Sequence, residues 1–307
     1  MRAHVKALLF GLFVIIGVSW VSEAWAFIPA GGSRLLYYYS KRSFASGAGV
    51  DSAQTLFQII NTNETQAVRV GVKYYRGDNC DDTSVVYRNI SAGGSVTIDV
   101  ADETPGTFQE GVAEAFFVNA GNQPIRWDRG VGSSIIIDYQ LVAILRLAAA
   151  LLHSDDRTSQ GGVIANAASP TSWAPSHSAA HFQQPSLVTS RLAMFAPGTN
   201  SGTVSPDRTF NLHFRRPNGS GDADRILNAA CGRTLTLGTI FGFIPPGIFG
   251  ATYPDGGIVA ADVEGSGQQK GAVGWLIESI QLASPPINLL FGQIFQAFGT
   301  QSESAHP

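Results

Sequence analysis

The chain has 307 residues, of which 34 are Gly and 15 Pro, and only 14% are charged, below the about 25% usual in globular proteins. An apolar share of 44% is enough for a core, which excludes wholesale disorder. A formal net charge of −3 and a pI near 6.1 offer no basic footprint for phosphates, which argues against nucleic acid as the main partner.

Arg2 and Lys6 precede an almost wholly apolar run, Ala7 to Val21, and Ala24-Trp25-Ala26 places small residues where signal peptidase cuts. This pattern predicts a signal peptide over residues 1–26 with cleavage after Ala26. The apolar run falls short of the roughly 20 residues a membrane span needs. The residue after the cleavage site is Phe27 and not Cys, so a lipid anchor has no attachment atom there. The expected location is exported: periplasmic, cell-surface or extracellular. A second apolar stretch, Ile135 to Leu152, contains Asp138 and Arg146, each costing roughly 2.5–3.5 kcal/mol near a bilayer centre. It reads as a strand, Ser133 to Asp138, leading into a short helix around Leu141 to Leu152. No transmembrane span is expected after signal cleavage.

Between Thr55 and Val118 the pattern is strand, turn, strand. Leu56 to Ile60 is apolar and ends in Asn61-Thr62-Asn63-Glu64-Thr65, whose short polar side chains favour turns. Val68, Val70, Val72 and Tyr74 then alternate with Arg69, Gly71, Lys73 and Tyr75, the period of a half-buried strand. Ser84 to Asn89 and Val96 to Val100 flank the Ala92-Gly93-Gly94 corner, and Gly111 to Asn119 and Ile125 to Trp127 complete the series. Short strands, close turns and no long helical period predict a mainly β fold, an antiparallel immunoglobulin-like β-sandwich with short helices.

Residues 154–190 are dominated by Ser, Ala, Pro, Gln and Thr and read as a linker or long surface excursion. The earlier pattern then returns. Arg191 to Phe195 is followed by Pro197-Gly198-Thr199-Asn200, and Phe210, Leu212 and Phe214 alternate with Asn211, His213 and Arg215. Gly111 to Val118 and Gly271 to Ile280 also look alike. The expected organisation is two tandem sandwich domains, residues 27–153 and 191–283; one larger sandwich with an insertion is the rival. In the tail, 284–307, apolar residues from Ile287 to Phe298 recur at spacings of three and four after Pro285-Pro286, which predicts an amphipathic helix.

The run Leu56 to Asp99, with Phe57-Gln58-Ile59-Ile60-Asn61-Thr62, Asp78-Asn79-Cys80 and Ser91-Ala92-Gly93-Gly94-Ser95-Val96, resembles uncharacterised secreted bacterial proteins with immunoglobulin-type sandwiches. The resemblance covers the first half of the mature chain. It implies fold and compartment, and brings no activity or functional residue.

Cys80 and Cys231 are the only cysteines. In an oxidising compartment they are a candidate disulfide, the alternative being two separate thiols. His177 and His181 stand at i and i+4, which on a helix would let both bind one transition metal. The interior Glu of a metalloprotease helix is missing and no third ligand is in view, so a surface loop is preferred and no metal or other cofactor is expected. His213 lies on the outward row of its strand with no acid nearby in sequence. No Gly-x-Ser-x-Gly elbow occurs, and the pairs Asp81-Asp82 and Asp99 with Asp102 read as turn acids. Asn218, Ser220, Asp222 and Asp224 alternate as calcium ligands do, but the twelfth position is Ala229 where a loop of that kind needs Glu.

The least bland feature is apolar. Phe241, Phe243, Ile244, Ile248 and Phe249 are interleaved with Gly and Pro, so this loop either packs under the domain or forms a contact surface for protein, lipid or another copy. These readings converge on a non-enzymatic exported binding or assembly protein, whose partner is an unidentified protein or a second copy. The alternative is a secreted hydrolase with an unrecognised metal or carboxylate site.

Overall fold

The computed structural model describes residues 33–45, 49–77, 81–152, 161–163, 177–183, 188–195, 208–216, 223–229, 232–237, 252–264, 273–283, 286–294 and 296–297. The fold is mainly β, in antiparallel sheets. The first half contains β1 (Arg34–Ser40), β2 (Ala53–Asn61), β3 (Val68–Arg76), β4 (Val86–Ile90), β5 (Ser95–Asp99), the short helix α1 (Val100–Glu103), β6 (Glu110–Val118), β7 (Gly130–Asp138), β8 (Ala143–Ala148) and β9 (Ala150–Leu152). The second half contains β10 (His177–Phe182), β11 (Thr189–Phe195), β12 (Arg208–Arg215), β13 (Ala223–Ala229), β14 (Gly232–Thr236), β15 (Gly257–Glu264), β16 (Val273–Ala283), β17 (Pro286–Ile294) and β18 (Gln296–Ala297).

The strands form four sheets. In the first half the orders are β4-β3-β6-β1-β9 and β5-β2-β7-β8; in the second they are β13-β12-β15-β10-β18 and β14-β11-β16-β17. Adding nine to every strand number of the first half reproduces the second. The resemblance between the Leu56 and Arg191 regions therefore has a topological counterpart, β2-β3 with β11-β12. The pairing of Gly111 to Val118 with Gly271 to Ile280 is corrected by one strand, because β6 corresponds to β15 and β7 to β16.

Alternation explains the strands that sequence locates best. Val68, Val70, Val72 and Tyr74 of β3 are buried, as are Phe210, Leu212 and Phe214 of β12. In β2 buried and half-buried residues alternate without a break. The chain then turns through an Asn63 side chain that accepts the N–H groups of Thr65 and Gln66 at 3.0 and 3.1 Å. Gly93, at φ +60°, completes the next corner in a region few other residues tolerate.

Several expectations are corrected. Leu141 to Leu152 forms no helix: it is a hairpin end followed by β8 and β9, with Leu145 and Leu147 buried and Ile144, Arg146 and Ala148 exposed. A short apolar run fits either period, and here the ladder offered by β7 decides. The tail helix is likewise replaced by β17, which pairs with β16 from Trp275↔Ile294 to Ala283↔Pro286. The linker over 154–190 contains β10, which pairs with β15 and β18; its Ser and Ala content hid a strand whose partners lie far along the chain. Ile125 makes only an isolated bridge, to Val163. β1 carries no alternation, because Leu35, Tyr37 and Tyr39 join one cluster while Leu36 and Tyr38 join another. A strand buried on both faces reads as a plain apolar run.

The buried side chains form three clusters. In the first half, Phe57 and Ile59 of the four-stranded sheet share one with Leu35, Val70, Val72 and Phe117 of the five-stranded sheet. In the second half, Leu192, Met194 and Leu276 meet Phe210, Leu212, Phe214 and Val259 in the same way. The third cluster joins the halves: Leu36, Tyr38, Val112, Leu145, Leu147 and Ala150 pack with Ala193, Val273, Trp275 and Ile277. The Tyr38 and Trp275 ring centroids lie 6.1 Å apart, and the Trp275 indole N–H donates to Ala148 O at 3.4 Å. Arg191 donates to Phe44 O at 3.0 Å. Gly292 of β17 lies so close to β8 that a Cβ would stand 2.0 Å from Leu147 Cδ2.

Candidate interaction face

The pairing of β2 with β7 sets Leu56 opposite Ile135 and Gln54 opposite Ile137. The pairing of β7 with β8 adds Arg146 beside Ile135 and Ile144 beside Ile137, and β5 brings Asp99 beside Leu56. Because side chains alternate across a sheet, these residues share the face turned away from Phe57, Ile59, Ile136 and Leu145. Leu56, Ile135 and Ile137 are half-buried by their neighbours in the sheet. Ile144 is 67% exposed, and at the same end Val142, Tyr139 and Val50 are 88%, 56% and 63% exposed. Scattered apolar residues on a surface are ordinary; a contiguous group marks a contact site.

The tip of this face is held rigidly from below. Asp138, fully buried, accepts the Ser43 hydroxyl at 2.6 Å, the Phe44 N–H at 2.7 Å, and the N–H groups of Gln140 and Leu141 at 3.0 and 2.9 Å. Charge-assisted bonds of this kind outweigh neutral ones, so one carboxylate ties the β7-β8 turn to the segment after β1. Val142 closes that turn at φ +52°. For a β-branched residue this is a strained conformation, held here with the side chain in water.

Beside the tip lies a polar network. The Tyr139 hydroxyl donates to Gln54 Oε1 at 2.7 Å, and Gln54 Nε2 donates to Asp99. Asp99 also caps α1 by accepting the Ala101 N–H at 2.9 Å. The buried Lys41 ammonium donates to Thr104 Oγ1 and Pro105 O at 3.2 and 3.1 Å. Burial pushes its pKa down, and the Asp51 and Asp99 carboxylates push back.

The second half repeats the buried carboxylate. Glu278 of β16 accepts the Gln183 N–H, just past β10, at 2.6 Å and the Ser190 hydroxyl at 3.0 Å. Aligning it with Asp138 places Trp275 and Ile277 where β7 has Ile135 and Ile137, and their β11 partners Ala193 and Arg191 where β2 has Leu56 and Gln54. Burial raises the Glu278 pKa, and its two hydrogen bonds hold it down in part.

The sites expected from sequence fare unevenly. His177 and His181 stand on β10, a strand, so four residues separate them by roughly 13 Å along the chain axis; the one-turn helical spacing that would bring both to one ion is absent. His181 is exposed. Among the described residues no three His, Cys, Asp or Glu side chains are grouped to hold a metal ion. His213 does have an acid, Asp224 across the β12-β13 pair, with Nδ1 and the carboxylate 2.8 Å apart. Cys80, Cys231 and the apolar loop with Phe241, Phe243, Ile244, Ile248 and Phe249 lie outside the described residues, as does the expected signal peptide. Among the described residues no helix is long and apolar enough to cross a membrane.

Sequence reading missed the β2-β7-β8 face because Ile135-Ile136-Ile137 gives no alternation. The available signal was Asp138 and Arg146 in an otherwise apolar stretch: one is buried and bonded, the other sits on the exposed face. No family model matches the chain, and no curated protein does. Among solved structures it is similar to a calcium-binding mutant of Bacteroides uniformis beta-glucuronidase 2, at 7% identity and a TM-score of 0.16. That alignment covers 86% of this chain and 26% of the other, so the chain spans about a quarter of that protein's length.

Proposed function

We propose that this chain is an exported, non-enzymatic binding or assembly protein made of two tandem immunoglobulin-like β-sandwich domains, residues 34–152 and 177–297. The shared strand order of the two halves supports the tandem reading, together with the buried carboxylate that each places on the third strand of its four-stranded sheet. The signal-like sequence over residues 1–26 supports export.

The observation that carries the binding function is the outward face of β2, β7 and β8: contiguous aliphatic side chains, a strained exposed tip, and a rigid support beneath them. Binding needs such a preformed surface, and hot spots gather at apolar centres with polar rims. Here Leu56, Ile135 and Ile137 form the centre, with Gln54, Asp99 and Arg146 around them.

The test has two parts. The native chain is expressed with its leader, and the exported product is sequenced from its N-terminus; a first residue of Phe27 is expected, and an uncleaved cytoplasmic product refutes export. Ile144→Asp should then weaken every stable association of the exported protein at least about tenfold while leaving its circular dichroism unchanged. Undiminished association, or turnover of a substrate by the purified protein, refutes the binding reading.

A further inference from the structure

We propose that the outward face of the β5-β2-β7-β8 sheet is the seat of a second copy of this chain, in a closed two-fold dimer. This rests on the contact-face reading above and names its partner. One observation is internal to the molecule: the equivalent face of the second half, with Ala193, Trp275 and Ile277, is buried against the first half. The same sheet surface thus already serves as a packing surface once in each chain, and the first half's version is left uncovered among the described residues.

Charge selects the occupant. Across the four strands the outward row reads Asp99, Leu56, Ile135, Arg146, an acid and a base at opposite ends, roughly 14 Å apart at three strand spacings. A two-fold axis parallel to the strands, midway between Leu56 and Ile135, reverses this row in the facing copy. Arg146 of each copy then meets Asp99 of the other, and Leu56 meets Ile135. The next row along the strands, Thr97, Gln58, Ser133, Ala148, sets Gln58 against Ser133, a hydrogen-bonding match. The row at the tip, Gln54, Ile137, Ile144, sets Gln54 against Ile137 and carries Ile144 past the end of the facing β5; the two other rows are complementary to themselves about this axis, as an isologous dimer requires. The outward face of the second half's five-stranded sheet fits less well, since it presents His213, Asp224, Arg215 and His181, so a head-to-tail chain of copies is disfavoured.

Sedimentation equilibrium of the full mature protein tests this. A dimer is expected, with a dissociation constant raised at least about tenfold by Ile144→Asp and by Arg146→Glu. Arg146→Lys should retain it. Added salt should weaken the wild-type dimer but strengthen that of Arg146→Glu, where like charges face each other. Ile226→Asp, on the second half at a position 69% exposed, should leave the dimer intact, and circular dichroism checks that each variant is folded. A wild-type monomer, open-ended oligomers, or a dimer indifferent to Ile144→Asp each overturns the proposal. A monomer that loses some other association on Ile144→Asp would overturn self-pairing while the contact-face reading survives.

Discussion

In the β14-β11-β16-β17 sheet the outward residues Ala193, Trp275 and Ile277 are buried against the first half, whereas the matching residues Leu56, Ile135 and Ile137 of the β5-β2-β7-β8 sheet face away from the second. Topology and local support are alike in both, down to a buried carboxylate on the third strand. What differs is the neighbour. One sheet is enclosed because the first half lies against it, and the other keeps an apolar face that no described element covers. The same architecture therefore yields a structural interface once and a candidate recognition surface once, with surroundings and not strand order making the difference.

The contrast is broken most directly by placing the same charge on both faces. Ile277→Asp buries an unpaired carboxylate between the halves and should cost more than about 4 kcal/mol in urea unfolding, while Ile144→Asp should change stability by less than about 0.5 kcal/mol. Equal losses at the two sites would erase the distinction. Asp138→Ala comes next, with an expected loss of about 3 kcal/mol or more, because it strands the Ser43 hydroxyl and three backbone N–H groups. Glu278→Ala, which frees fewer donors, should cost less.

Val142→Gly sharpens the comparison at the tip. Relief of a positive φ should raise stability by about 1 kcal/mol, measured by the shift in urea midpoint at constant slope, and should weaken association by making the tip mobile. The smallest effect concerns pH. Burial raises the folded-state pKa of Glu278, so the stability tied to that group is full below its unfolded-state pKa and is lost as pH rises through the folded-state value. Glu278→Gln removes this titration, and urea midpoints measured from about pH 4 to 8 should show a flatter profile than the wild type. An unchanged profile would show that Glu278 titrates as an ordinary carboxylate.

Strands whose one face is wet were legible from the chain alone. Val68 to Tyr75 and Phe210 to Arg215 show a period of two, and the structure gives β3 and β12 there. Other segments lack that period or mimic another. Arg34 to Ser40, buried on both faces, gives no strand signal; Ile135 to Ile137 reads as a strand, as β7 is, but is too apolar to show which face is open; and Ile287 to Ile294 matches a helical spacing that ladder pairing with β16 overrides. The polar support of the candidate face was hidden for a different reason: Ser43, Asp138, Gln54, Asp99 and Tyr139 meet only after strands far apart in sequence are brought together.

Composition and alternation by themselves determined a mainly β, turn-rich, antiparallel fold, because the fit of side chains to a pleated, half-buried surface is a local property of the chain. They also displayed the likeness of the Leu56 and Arg191 regions. Only the tertiary structure decided which apolar faces are enclosed and which are open, since that depends on how one half rests on the other through Tyr38, Leu147 and Trp275. Enclosure is a relation between distant segments, and no local pattern of residues encodes it.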